Sequence, residues 1–279
     1  MAELQRVRIS PPLICPVAPC EPALLECVEI AARESGCPHG PLYLQALLQL
    51  PRLADGCGCV PISLVQILLA ELAEELPARE EWLVPDVGLS PRSLRFHEVA
   101  EAKARDVMER FHYLRSPRWD GRAYGLSTAA DDLVALCVSS PLDVPRLGNL
   151  LITHGRPAER ARSISRVFAF EGAPHNNISY LLSRAAKAER LLGATDFVTY
   201  VNPNLGFTGT SYRASGWTPL GDEPGTAYRY LDERYITDRE LARRFGRHDD
   251  RTYRRLLGSR FAVSIMPLAP LLVFHRSLS

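Results

Sequence analysis

The hydrophobic pattern changes character near residue 90, and that change limits the chain to a mixed α/β architecture with a helical extension at its start. Before the change, apolar residues recur at helical spacing. Residues 23–33 and 42–50 form two such stretches. The strongest is Ile62–Glu75, with Leu64, Ile67, Leu68 and Leu72 on one stripe and Pro77 just beyond it as a stop. After the change, short apolar runs alternate with amphipathic stretches. Residues 94–99 read as a strand. Residues 100–114 read as a helix whose inner face carries Ala104, Val107, Met108 and Phe111. Arg122–Ser127 and residues 133–139 suit a hairpin turning near Asp131 and Asp132.

Further along, 166–170 is a short apolar strand and 179–192 a helix. Its inward face is expected to hold Leu181, Leu182, Ala185, Ala188 and Leu192, and Gly193 is placed to end it. Residues 197–201 form another strand, and 228–236 a single strand after that. Thr237 and Glu240 make a capping-box pattern, and 263–265 and 271–274 read as closing strands. This order predicts a mixed central sheet flanked by helices. Ser90-Pro91 is the expected boundary between a helical, Cys-rich region, 1–90, and an α/β domain, 91–279.

Charge and cysteine usage narrow the classes. The chain has 279 residues and a net charge of +1. Residues 1–92 hold six Arg and twelve Asp or Glu, a net charge of −6, so the remainder carries +7. A basic larger half suits an anionic partner such as DNA, tRNA or a phosphate-bearing cofactor; a solvated surface is the plainer reading. Residues 239–260 hold eight Arg, of which Arg243, Arg247, Arg251 and Arg254 share helical spacing and are candidate phosphate contacts. No long uncharged apolar run is present, so no membrane span is expected. The first residues lack signal-peptide character, which gives the expectation of a cytoplasmic protein.

Six of the seven cysteines lie before residue 60. Cys37-Pro38-His39-Gly40 and Cys57-Gly58-Cys59 offer Cys37, His39, Cys57 and Cys59 as possible zinc ligands from two turns. No paired C-x2-C spacing supports them, and buried reduced thiols are the simpler expectation.

The most specific stretch is 166–221. It runs Arg166-Val-Phe-Ala-Phe170, then Pro174-His175-Asn176-Asn177-Ile178-Ser179, then a helix and a strand, and ends in Gly206-Phe-Thr-Gly-Thr-Ser-Tyr212-Arg-Ala-Ser-Gly216-Trp217. This resembles the second half of the GNAT (Gcn5-related N-acetyltransferase) fold, with its Tyr–x3–Gly–aromatic signature. Within that superfamily it is similar to the Mom-type DNA-modification proteins of bacteriophages, which attach a small amide-containing group to adenine. His112-Tyr113, Tyr124-Gly125, Asn177-Ile178-Ser179, and Asn202 ten residues before Tyr212 carry that likeness, over about 94–235.

The resemblance implies an N-acyltransferase that forms an amide on an amine of a small molecule or nucleobase. It makes Tyr212 the acid for the leaving group. Arg166, Asn177, Ser179 and His175 would meet the acyl donor, and Tyr113 and Tyr124 the acceptor. His112 is the candidate general base by residue type. Two departures qualify this. The loop before the helix has one glycine, Gly172, and Pro174 removes an amide donor, so the usual cradle for coenzyme A phosphates is not written. Asn202 stands where an acidic residue is expected, and an amide is no base, though it can hold substrate. The donor is therefore left open between a coenzyme A thioester and an aminoacyl-tRNA. The non-enzymatic alternative is a nucleic-acid-binding module on a degenerate GNAT fold.

Overall fold

The computed structural model describes residues 6–8, 21–54, 59–84, 90–116, 120–142, 145–223, 227–264, 266 and 268–278. The N-terminal region is helical, as its spacing predicts. β1 (Arg6–Arg8) pairs antiparallel with β2 (Cys59–Pro61), and α1 (Glu21–Ser35), α2 (His39–Leu53) and α3 (Ile62–Glu75) pack around one apolar core. The inner face of α3 is Val65, Leu68, Leu69 and Leu72. Leu64 and Ile67, expected inside, are 41% and 56% exposed. The helix is apolar on more than one side, so two stripes with helical spacing compete, and contact with α1 and α2 selects between them.

The larger part is built on a seven-stranded mixed sheet. In chain order come β3 (Arg95–Val99), α4 (Glu101–Arg110), β4 (Arg122–Ser127), β5 (Leu133–Pro141), α5 (Pro145–Thr153), β6 (Ala161–Ala169), α6 (Asn177–Leu191) and β7 (Asp196–Val201). The short α7 (Thr210–Ala214) and β8 (Thr218–Glu223) follow. The last element, β12 (Leu271–Ser277), returns to lie between β7 and β8, giving the order β3-β4-β5-β6-β7-β12-β8. Only β6 and β7 are parallel. β5 is buried along its length except at Pro141, which explains its unbroken apolar run. The inner face of α6 is Leu181, Leu182, Ala185, Ala186 and Glu189. Leu192, expected inside, is 59% exposed, because the helix ends at Leu191 and Gly193 turns the chain at φ 92°.

A smaller sheet stands apart from this one. The stretch 228–236, expected as one strand, is a hairpin of β9 (Arg229–Leu231) and β10 (Arg234–Ile236). Asp232 and Glu233 turn it at φ 49° and 66°, the backbone hand that matches strand twist. β11 (Phe261–Val263) completes the three strands; Ile265 lies outside the described residues. Between β10 and β11 run α8 (Asp238–Phe245) and α9 (Asp250–Leu257), opened by Thr237 and Asp249 side chains that accept from Glu240 and Thr252 N–H.

The helical region is bound into the rest rather than set apart. Leu48 of α2 sits in one cluster with Leu205, Tyr228 and Tyr230. The Tyr230 hydroxyl donates to Leu48 C=O at 3.0 Å, and Tyr235 N–H donates to Gln49 Oε1 at 3.2 Å. Past α3 the chain runs alongside the end of β6. Glu171 N–H donates to Trp82 C=O at 2.8 Å and Val84 N–H to Glu171 C=O at 2.9 Å.

Candidate functional site

The site begins as a gap in the sheet. β6 and β7 pair only where Ala161–Ser163 face Asp196–Val198. The register of β5 against β6 shifts at Val138/Ser139, inserting Ser165 as an extra residue and bending β6 away. The last tie across is the Thr199 hydroxyl, which donates to Ile164 C=O at 2.8 Å. Beyond it the strands part around a cavity of about 380 Å³, with Arg166–Ala169 on one side and Tyr200–Asn202 on the other. Phe170 N–H donates to Val134 C=O of β5. Strand alternation then turns the main-chain groups of Val167 and Ala169 toward the gap.

Tyr212 closes one end of this gap. Its position follows from the two glycines around it. Gly209 has φ 78°, and a Cβ there would lie 2.6 Å from the Phe274 ring, so only glycine lets α7 start this close to β12. Gly216 has φ 79°, and Trp217 N–H returns to Tyr212 C=O at 3.1 Å. Trp217 is then buried against the rings of Phe197 and Tyr212. The Tyr–x3–Gly–aromatic pattern is thus a helix stop that fixes the tyrosine ring. The Thr199 hydroxyl donates to the Tyr212 oxygen at 3.4 Å, leaving the tyrosine's own proton to be given elsewhere. Burial pushes its phenol well above the ordinary range, against the opposing pull of the Thr199 bond.

His112, Tyr113 and Arg166 gather at the opposite end. His112 is 3% exposed, and its Nδ1 accepts from Leu114 N–H at 3.2 Å. Burial first, and the Arg166 guanidinium second, hold it well below the usual imidazole range. It is therefore neutral with its proton on Nε2. This corrects the general-base expectation. Using the Nε2 lone pair would put a proton on Nδ1, facing the Leu114 N–H donor to donor. His112 is instead set as an Nε2–H hydrogen-bond donor. Arg166 is braced by Ser116 C=O at 2.9 Å and Ser165 C=O at 2.6 Å. The Tyr113 ring lies between those of His112 and Phe207.

Other expected site residues are placed elsewhere or already occupied. Tyr124 is away from the gap. It is 3% exposed, stacks on Phe96 and donates to buried Glu189 at 3.1 Å. Asn202 lines the gap, but its Nδ2 donates to the Tyr228 hydroxyl at 2.9 Å and its Oδ1 accepts from Asn204 Nδ2 at 2.9 Å and N–H at 3.1 Å. It braces the turn after β7, with no polar atom left for catalysis. Ser179 does not cap α6; its hydroxyl donates to Ser211 C=O at 3.2 Å, tying α6 to α7. Asn177 Nδ2 donates to Pro174 C=O at 2.8 Å. His175 is exposed and outside the gap's lining.

The donor loop bears out its sequence. Amides of Glu171, Ala173 and Asn177 are spent on Trp82, Phe170 and Pro174 carbonyls. Gly172, at φ 80°, is pressed so close to Val84 C=O that a Cβ would sit at 2.9 Å. A pyrophosphate cradle is not formed here. What remains for an anion is the first turn of α6, where Ile178 and Ser179 N–H lack intrahelical acceptors.

The arginine-rich segment is not one helix. Gly246 ends α8 and Asp249 opens α9. Arg243 is held by Glu240, as is Arg244. Arg247, Arg251, Arg254 and Arg255 are exposed, with no ion pair. Among the described residues no three His, Cys, Asp or Glu side chains gather as a metal site. Cys37 is a free buried thiol in the helical core, His39 stacks on Tyr43, and Cys57 and the Cys59 side chain lie outside the described residues. Among the described residues no helix is long and apolar enough to cross a membrane.

Sequence reasoning missed Thr199, Gly209, Phe207 and Glu171. A lone threonine on an apolar strand and glycines in a loop carry no pattern of their own. Their roles come from the splay of β6 and β7, which periodicity does not encode.

The model of the Mom protein family matches residues 93–263. Among curated proteins none matches the chain. Solved structures with a related chain path include a spermidine/spermine N-acetyltransferase from Vibrio cholerae. It is 10% identical with a TM-score of 0.40, over 68% of this chain and 95% of that one. A Bacillus subtilis acetyltransferase in complex with coenzyme A is 12% identical with a TM-score of 0.34, over 67% and 99%.

Proposed function

Because the chain belongs to the Mom protein family, we propose that it is an N-acyltransferase that joins an activated acyl or aminoacyl group to an amine, forming an amide. The observation that carries this reading is Tyr212. It is a phenol kept protonated by burial, at one end of a gap between two parting strands, with a histidine Nε2–H and an arginine at the other.

The chemistry follows from those groups. The amine nitrogen attacks the donor carbonyl, a C–N bond forms, and charge develops on the carbonyl oxygen. Main-chain N–H groups of β6 at the gap and the His112 Nε2–H are the available donors for that charge. The bond to the carrier then breaks, and Tyr212 gives its proton to the departing sulfur or oxygen. The attacking amine's proton replaces it, through water or directly. No residue of the gap is needed to carry a net charge change.

The gap accepts either donor chemistry, thioester or aminoacyl ester. Without a phosphate cradle, the donor is held by its acyl arm along β6 and by the open start of α6. The unpaired Arg247, Arg251, Arg254 and Arg255 favour a phosphate-bearing substrate, a nucleobase in a nucleic acid or a tRNA-borne donor. The test is acyl transfer by wild type and Tyr212→Phe. The variant is expected to lose roughly a hundredfold or more in kcat while binding donor normally. Undiminished turnover would overturn the assignment.

A further inference from the structure

A second cavity of about 430 Å³ adjoins the gap on the α4 side. The two share His112, Tyr113, Val167, Phe168, Ala169 and Phe207, so one opens directly onto the other. Its character is different. Trp82, Phe111 and Phe168 form an edge-on aromatic cluster along it, with Trp82 and Phe111 at 5.0 Å and Trp82 and Phe168 at 6.0 Å between ring centres. Tyr43 and Gly40 of α2 face this cluster from the helical region, outside the 93–263 family match. The cationic groups at its edge are neutralised, Arg110 by Glu81 and Arg115 by Glu75 at 3.1 Å. One charged group remains. Glu171 lines the cavity, is partly buried, and its carboxylate has no hydrogen-bond or ion-pair partner among the described residues, while its main-chain groups hold Trp82 and Val84.

We infer that this second cavity is the acceptor subsite, that it takes a primary amine carried on a flat aromatic body, and that α2 forms its outer wall. Aromatic walls accept a flat apolar body by offset or edge contacts. A single unpartnered carboxylate among them fits an amine, whose N–H groups it accepts and whose partial or full positive charge the ring faces also favour. A body of one or two fused rings suits a cavity of this size. An amine anchored by Glu171, next to β6, points toward Ala169 and Val167 and so toward the gap where Tyr212 waits. The helical region is then a specificity element: it encloses an acceptor site that the family-matched part leaves open on that side.

This inference rests on the acyl-transfer reading for its role, but its test reads binding alone. The probe is 6-aminoquinoline, with quinoline as the amine-free control, titrated calorimetrically into the whole chain. 6-Aminoquinoline is expected to bind wild type and Tyr212→Phe equally, and quinoline to bind more weakly. Glu171→Gln is expected to weaken the amine by roughly tenfold or more while leaving quinoline unchanged. Gly40→Phe fills the outer wall at an exposed helical position where an added Cβ meets nothing within 4 Å, so the fold is kept, and it is expected to abolish binding of both. A single-stranded oligonucleotide that displaces the probe identifies the natural amine as a base within a strand; one that does not identifies a free small amine. Equal affinity for probe and control, or full binding by Gly40→Phe, would overturn the subsite even if acyl transfer were established.

Discussion

Replacing Gly209 by alanine tests how the fold positions Tyr212. The added Cβ would lie 2.6 Å from both Cε2 and Cζ of Phe274. Phe274 is 1% exposed on β12, between β7 and β8, and cannot swing aside. Overpacking of that kind costs about 1–3 kcal/mol. The left-handed φ of 78° adds about 1 kcal/mol for a residue with a Cβ. The total is about 2–4 kcal/mol. Gly216→Ala supplies the control. Its φ is 79°, yet nothing lies within 4 Å of the new Cβ, so it is expected to cost only the conformational part, about 1 kcal/mol. Urea unfolding of both variants isolates the clash as their difference. Because Gly209 is the residue before α7, relief of the clash must move the Tyr212 ring, so kcat is expected to fall beyond any loss of folded protein. Equal stability of the two variants, with wild-type turnover in Gly209→Ala, would refute the packing argument.

Three further outcomes follow from particular groups. Glu189→Gln leaves Arg122, Arg162 and Tyr124 around a buried neutral amide and is expected to cost about 2–4 kcal/mol in denaturant unfolding, whereas Tyr124→Phe leaves acceptor KM unchanged because that hydroxyl faces Glu189 and not the gap. Glu240 is held at about 2 rather than its ordinary 4.5, chiefly by its hydrogen bond from Arg243 and then by Arg244. A depressed carboxylate stabilises the fold above about pH 4.5 and loses that contribution as pH falls toward 2, so Glu240→Gln is expected to flatten the acid limb of a stability profile in that window. Replacing Arg247, Arg251 and Arg254 together by alanine is expected to weaken nucleic-acid retention and lower its salt slope by up to about three, which filter binding at several salt concentrations measures.

Much of the large sheet was legible because its strands are buried continuously, and apolar runs such as β5 announce themselves. The helix faces were less so. The α3 stripe was misjudged because two apolar rows compete, and Leu192 because a helix end was set one residue late. The β9–β10 hairpin hid in an unbroken run, since its turn uses Asp232 and Glu233 rather than glycine or asparagine. At the site, Tyr212 was visible through its short signature, and the poor phosphate loop through Pro174. The role of His112 was not, because it depends on which ring nitrogen the Leu114 amide meets. Tyr124 and Asn202 were misplaced for the same reason. A side chain's partners lie across the fold, Glu189 for one and Tyr228 for the other, and no local spacing reports them.

The most direct measurement of the central claim varies the leaving group. Acyl donors of one acyl group are made with leaving thiols of falling pKa, and wild type is compared with Tyr212→Phe. If Tyr212 protonates the departing group, the variant's deficit is largest, roughly a hundredfold or more, for alkyl thiols and shrinks to within about tenfold for a nitrothiophenol that leaves without a proton. A deficit that stays the same across the series would contradict the account and leave Tyr212 as a packing residue only.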